Sequence, residues 1–243
     1  MELPPLSLYV HIPWCEKKCP YCDFNSFVAP AVIPENKYVD LLISDFRAEI
    51  EHIKDRELIS IFFGGGTPSL FGAKSLRRLL NELAENFALH PDIEVSLEAN
   101  PGSAEAEKFS GFRDAGINRL SIGAQSFNDK MLPKLGRIHK EEHCTLAVEL
   151  AKEAGFSNIN LDLMYGLPDQ NVGEALSDLK KALSMKPSHI SWYELTIEPN
   201  TVFFSDKPTL PCEEEYESIQ EAGLTLLNRS HFNRYEISAF SAF

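Results

Sequence analysis

Long apolar runs, basic charge and cysteines are all scarce in this chain. No hydrophobic stretch among its 243 residues approaches the roughly 18 needed to span a bilayer. The start, Met1-Glu2-Leu3-Pro4-Pro5, has neither the cationic end nor the apolar centre of a secretory signal, so a cytoplasmic protein without a membrane span is expected. Lys and Arg number 23 against 36 Asp and Glu, a formal charge of −13. That balance argues against a broad basic surface, and no nucleic-acid partner is expected. Five cysteines are too few for a disulfide scaffold. A Pro/Gly/Ser-rich linker is missing too, which leaves one domain over residues 1–243. With 44% hydrophobic and 24% charged residues, collagen-like, low-complexity and wholly disordered chains fall away.

What is present is an alternation of strand and helix patterns. Leu6-Ser7-Leu8-Tyr9-Val10-His11-Ile12 reads as a first strand ended by Pro13, and Tyr38, Leu41, Leu42, Phe46, Ile50 and Ile53 form a helical stripe after Pro34. The run 58–63 predicts a strand buried on both faces, followed by a helix carrying Leu76, Leu79, Leu80 and Leu83. Further strands are expected at 93–97, 118–122, 158–163 and 190–195. Gly116 closes the helix before the 118–122 strand, and Asn171 with Glu174 forms a capping pair after the 158–163 strand. A helix over 213–229 and a short strand at Arg234-Tyr235-Glu236-Ile237 complete the chain. About six βα units with a parallel sheet predict an α/β fold, an open, partial TIM-like barrel. A Rossmann fold would place a glycine turn after the first strand, where this chain has cysteines.

In such folds ligands bind at the C-terminal ends of the strands. Strand one is followed by Cys15-x3-Cys19-x2-Cys22, thiols close enough to share one centre of zinc or iron–sulfur type. Zinc usually takes a fourth protein ligand; His11, inside a strand, reads better as a core or hydrogen-bonded histidine. Three cysteines on a [4Fe–4S] cluster would leave one iron open to a non-protein ligand. Cys144, on a helix, and Cys212, opening an acidic one, read as unliganded. Gly64-Gly65-Gly66-Thr67-Pro68 either presents backbone groups to a small polar ligand or simply makes a tight turn. Glu98 and Asn100, Gln125, and Asp162 follow successive strands and can receive ammonium, ribose hydroxyls and purine donors. Arg137 offers a bidentate partner to a ligand carboxylate unless it is an ordinary surface arginine.

Taken together, Tyr9-Val10-His11-Ile12-Pro13, Cys15-x3-Cys19-x-Tyr21-Cys22 and the Gly64–Pro68 run resemble the signature of the radical S-adenosylmethionine (SAM) superfamily. The likeness continues through Glu98-Ala99-Asn100-Pro101, 119–127, 162–168 and Tyr235-Glu236-Ile237-Ser238. It lies in the branch that holds the anaerobic coproporphyrinogen III oxidases and the HemW-like haem chaperones. Phe24 stands where the oxidases, also called dehydrogenases, carry a further cysteine, and only residues 1–5 precede the first strand, so the chaperone side is nearer. The resemblance implies that Cys15, Cys19 and Cys22 hold a [4Fe–4S] cluster. It implies a SAM site of Gly66 and Glu98 at the amino end, with Tyr9, Tyr21, Gly65, Thr67, Gln125, Arg137, Asp162 and Thr196 around it. Haem and a haem-accepting protein are the implied partners. Electron transfer to the sulfonium would give a 5′-deoxyadenosyl radical, although turnover of coproporphyrinogen III is not expected. Members of the HemW-like group continue past the Tyr-Glu-Ile-Ser segment into a region with a His-Asn-x-x-Tyr-Trp element. This sequence stops at Phe243, so the family's C-terminal domain is expected to be largely absent. A dehydrogenase-type enzyme of porphyrin biosynthesis and a truncated, non-catalytic metal-binding protein are the alternative readings.

Overall fold

The structure, a computed structural model, describes residues 4–53 and 56–242. Strand β1 (Leu6–Ile12) leads into the short β2 (Trp14–Cys15), which pairs in parallel with β3 (Phe27–Val28). Helix α1 (Glu35–Ile53), β4 (Glu57–Gly65), α2 (Ala73–Asn86), β5 (Ala88–Ala99), α3 (Ser103–Ala106), α4 (Phe109–Ala115) and β6 (Arg119–Gln125) follow. Next come α5 (Glu141–Glu153), β7 (Asn158–Tyr165), α6 (Val172–Ser184) and β8 (His189–Glu194). The chain ends with α7 (Val202–Ser205), α8 (Glu213–Arg229), β9 (Asn233–Arg234) and β10 (Ala239–Ser241).

The main sheet has the order β1-β4-β5-β6-β7-β8-β10-β9. Its first six members are parallel and stand in chain order, as successive helical crossovers require. β10 and β9 extend the far edge antiparallel. Among the described residues β1 and β9 stand at opposite edges, so the sheet forms an open, partial barrel as the alternating pattern predicts. Along each parallel strand the side chains alternate. Val10, Ile12, Ile61, Phe63, Leu97, Ile122 and Leu161 are buried in the core beneath the helices. Their neighbours Tyr9, Phe62, Glu98, Gly123 and Asp162 face the other side, where Glu98, Gly123 and Asp162 form part of the wall of the site.

Local signals explain the joints. Gly116 adopts a left-handed φ of 110° at the end of α4, and Gly155 one of 86° after α5. Asn171 Oδ1 accepts from the Glu174 amide at 3.1 Å while Glu174 returns a bond to the Asn171 amide, a full capping box for α6. Three expectations are corrected. β4 is not buried on both faces: Ile59 and Phe62 are 38% and 37% exposed, because β4 lies one strand from the open edge. On α1, Leu41 points to solvent, and the buried face is Val39, Ile43 and Phe46. The segment 234–237 is not one strand; only Arg234 belongs to β9, and the chain turns through Tyr235–Ser238 so that β10 can pair with β8.

Candidate metal and cofactor site

A cavity of about 510 Å³ opens where the parallel strands end. Cys15, Cys19 and Cys22 line it, as do Tyr21, Gly65, Gly66, Thr67, Glu98, Gln125, Arg137, Asp162 and Thr196. Tyr9 does not line it; its ring stacks on Phe62 and its hydroxyl meets His11 Nδ1 at 3.0 Å. Several main-chain contacts shape the cysteine loop. The Cys22 amide donates to Cys19 O at 3.2 Å, and Lys18 Nζ donates to the carbonyls of Phe24 and Ser26 at 3.0 and 3.1 Å. The second ring nitrogen of His11 lies 2.8 Å from Asn25 O, so both nitrogens are engaged and the hydrogen-bonded reading of this histidine holds. Cys15 is buried, and burial pushes its thiol up against the hydrogen bonds from Thr67 and Ser26. Cys144 lies buried on α5 and Cys212 is exposed at the start of α8; neither lines the cavity.

Two carboxylates line the same cavity. Glu98 Oε2 accepts from the Gly65 amide at 3.1 Å, yet burial and the nearby Asp162 push its carboxyl up to about 7. Burial raises Asp162 as well, opposed by hydrogen bonds from Ser121 at 2.9 Å and Asn160 at 2.8 Å. Arg119 also lowers the Asp162 pKa electrostatically, but among the described residues no cationic side chain donates a hydrogen bond to either carboxyl, which suits the pair to a positively charged ligand group. Gln125, with a left-handed φ of 66°, accepts from the Tyr193 hydroxyl at 2.8 Å. Arg137 is not a free surface arginine. Its guanidinium donates to Gly123 O at 2.6 Å, Asn100 Oδ1 at 2.7 Å and Cys19 Sγ at 3.7 Å.

Comparison with known proteins bears on this geometry. The pattern of the family described as "Radical SAM superfamily" matches residues 9–182, which carry the three thiols, Glu98 and Asp162. The chain belongs to the radical SAM superfamily. It is 51% identical to "Heme chaperone HemW" of Haemophilus influenzae, covering 99% of this chain and 64% of the relative. It is 46% identical to the protein of the same name from Escherichia coli K12, with the same coverage. The solved structure of coproporphyrinogen III oxidase (HemN) from Escherichia coli, described as a radical SAM enzyme, superposes with a TM-score of 0.88. Identity to it is 30%, over 98% of this chain and 55% of that one. The chain therefore spans just under two thirds of the length of the HemW relatives it matches.

Radical SAM membership implies a [4Fe–4S] cluster and SAM, and the donor set fits. A zinc would ordinarily take a fourth protein ligand, and both ring nitrogens of His11, the histidine nearest in sequence, are already hydrogen-bonded. Three thiols on one cavity are the ligand set of a cluster that keeps one iron open to a non-protein ligand. The glycines of the radical SAM loop serve packing as well. A Cβ on Gly65 would sit 2.5 Å from the His11 ring, and one on Gly66 2.6 Å from Trp14 O. Gly123 is small for a similar reason: a Cβ there would be 3.3 Å from Arg137 Nη2. Sequence reasoning left out Ser121, Gly123, Ser191 and Tyr193 as wall residues. For Ser121 and Gly123 the signal was available, because each sits at the same parity along β6 as Gln125; Ser191 and Tyr193 follow from the register that sets Ser191 beside Asp162, which needs the sheet.

Proposed function

We propose that this chain binds a [4Fe–4S] cluster through Cys15, Cys19 and Cys22, binds SAM beside it, and acts as a HemW-like haem chaperone that passes haem to an acceptor protein. In this reading residues 1–243 act as the radical SAM core. The observation that carries it is one cavity lined by all three thiols of the cysteine motif together with Glu98 and Asp162. When bound, the cluster and SAM supply one-electron cleavage of a sulfonium C–S bond. The protein's own residues do the rest. Glu98 and the Gly66 backbone receive the amino end of SAM. Arg137 offers its guanidinium to the carboxylate. Asp162, Gln125 and Tyr193 bound the pocket for the nucleoside, and Tyr21 and Thr196 close its rim. The haem-chaperone part is supported by 51% and 46% identity to proteins named HemW, against 30% to HemN, and by Phe24 where a further cysteine is expected in HemN-like enzymes.

Anaerobic iron–sulfur reconstitution tests this reading. About four irons per chain are expected in the unaltered protein and almost none in a Cys15→Ala, Cys19→Ala, Cys22→Ala variant. Full iron retention in the variant would contradict the assignment. Titration with haem and then SAM should show both binding to the reconstituted chain, without product from coproporphyrinogen III.

A further inference from the structure

We propose that Asn100 is a positioning residue that aims the Arg137 guanidinium at the sulfur of Cys19, and thereby sets the reduction potential of the cluster which that cysteine would help to hold. The proposal rests on the three-cysteine reading above and adds a residue outside that set.

Asn100 follows β5 directly and has little freedom. Its amide donates at 3.1 Å to Glu105 Oε2, the carboxylate of a buried residue, and Pro101 restrains the backbone after it. The side chain bridges two loops: Arg137 Nη2 donates to Oδ1 at 2.7 Å, and Nδ2 donates to Thr67 Oγ1 at 3.2 Å. The direction of this bridge is fixed by chemistry. A guanidinium can only donate, so the oxygen of Asn100 must face Arg137 and its nitrogen must face Thr67. Thr67 Oγ1 then acts as acceptor, which ties the loop after β4 to Asn100 and holds the amide in that orientation. At the other end Arg137 Nη1 reaches Cys19 Sγ at 3.7 Å. One amide, held on its other side by Thr67, thus orients a donor to the thiol in the loop after β2. Donors to ligand sulfurs stabilise the extra negative charge of a reduced cluster and raise its potential.

Asn100→Asp keeps the size and the acceptor for Arg137 but takes the Thr67 proton for itself and adds negative charge. Asn100→Ala removes the bridge without adding charge. The measurement is a dye-mediated anaerobic redox titration of the reconstituted proteins, followed by EPR of the reduced cluster. The midpoint is expected to fall in both variants at unchanged iron content, and to fall further in the Asp form. If the Asp form does not load, the Ala form carries the test. A residue that merely held the loop would lower iron content or melting temperature and leave the midpoint of the loaded fraction where it was. Equal midpoints in wild type and a loaded variant would overturn the proposal. A wild-type protein that takes up no iron would instead remove the cluster assignment beneath it.

Discussion

Glu98 shows at the scale of one residue how a binding role is set against stability. Its carboxyl ionises in the folded protein only near 7, compared with an ordinary value of 4.5. Below pH 4.5 both folded and unfolded chains hold the proton and nothing is lost. As pH rises toward 7 the unfolded chain ionises first, so stability declines and stays lower above 7. The penalty at pH 8 is on the order of 2 kcal/mol after allowance for partial exposure. Glu98→Gln should therefore raise the melting temperature of the cluster-free protein at pH 8 and change it little at pH 4.5, as followed by circular dichroism. SAM binding moves the other way. An ammonium group needs the ionised carboxylate, so affinity should fall as pH drops below about 7 in the reconstituted wild type and should be weak and flat with pH in Glu98→Gln. Calorimetry across pH 6 to 8.5 reads this. The position of Glu98 after a strand is visible in the sequence. Its raised pKa is not, because that depends first on burial in the fold and then on Asp162, a neighbour contributed by a different strand.

Elements were legible wherever the local chemistry was sufficient. The capping box at Asn171 and the left-handed Gly116 are fixed by neighbours in the chain, and both stand where the pattern puts them. The buried face of a helix is a tertiary property and was read less well. On α6 the buried residues are Ala175, Asp178, Leu179 and Ala182, so a carboxylate sits inside. Asp178 accepts from Ser126 Oγ at 2.7 Å and the Phe127 amide at 2.8 Å, fastening the loop after β6 on which Gln125 depends. Two glycines separate local from tertiary demands. Gly155 has a φ of +86° with nothing within 4 Å of an added Cβ, so Gly155→Ala should cost only backbone strain, about 1 kcal/mol. On α8 an added Cβ at Gly223 would lie 1.9 Å from the Trp192 ring, and Gly223→Ala should cost about 3 kcal/mol by overpacking. Urea unfolding of the two variants should rank them in that order; a Gly155→Ala loss equal to or larger than that of Gly223→Ala would contradict the account.

At the scale of the whole molecule, a sheet with an apolar helix-covered face turns a largely polar face toward the cofactors. That division was written in the period-two alternation of Arg119-Leu120-Ser121-Ile122-Gly123 and Asn158-Ile159-Asn160-Leu161-Asp162. It was hidden in Leu58–Phe63, where an apolar run near an open edge reads like a strand covered on both sides. The open order of the sheet leaves room at the strand ends for three thiols and two carboxylates to share one space. Mössbauer spectroscopy of protein reconstituted with iron-57 tests that arrangement most directly. Three irons in sulfur-only surroundings and a fourth, distinct iron whose signal changes when SAM is added are the predicted result. Four equivalent irons indifferent to SAM would contradict it.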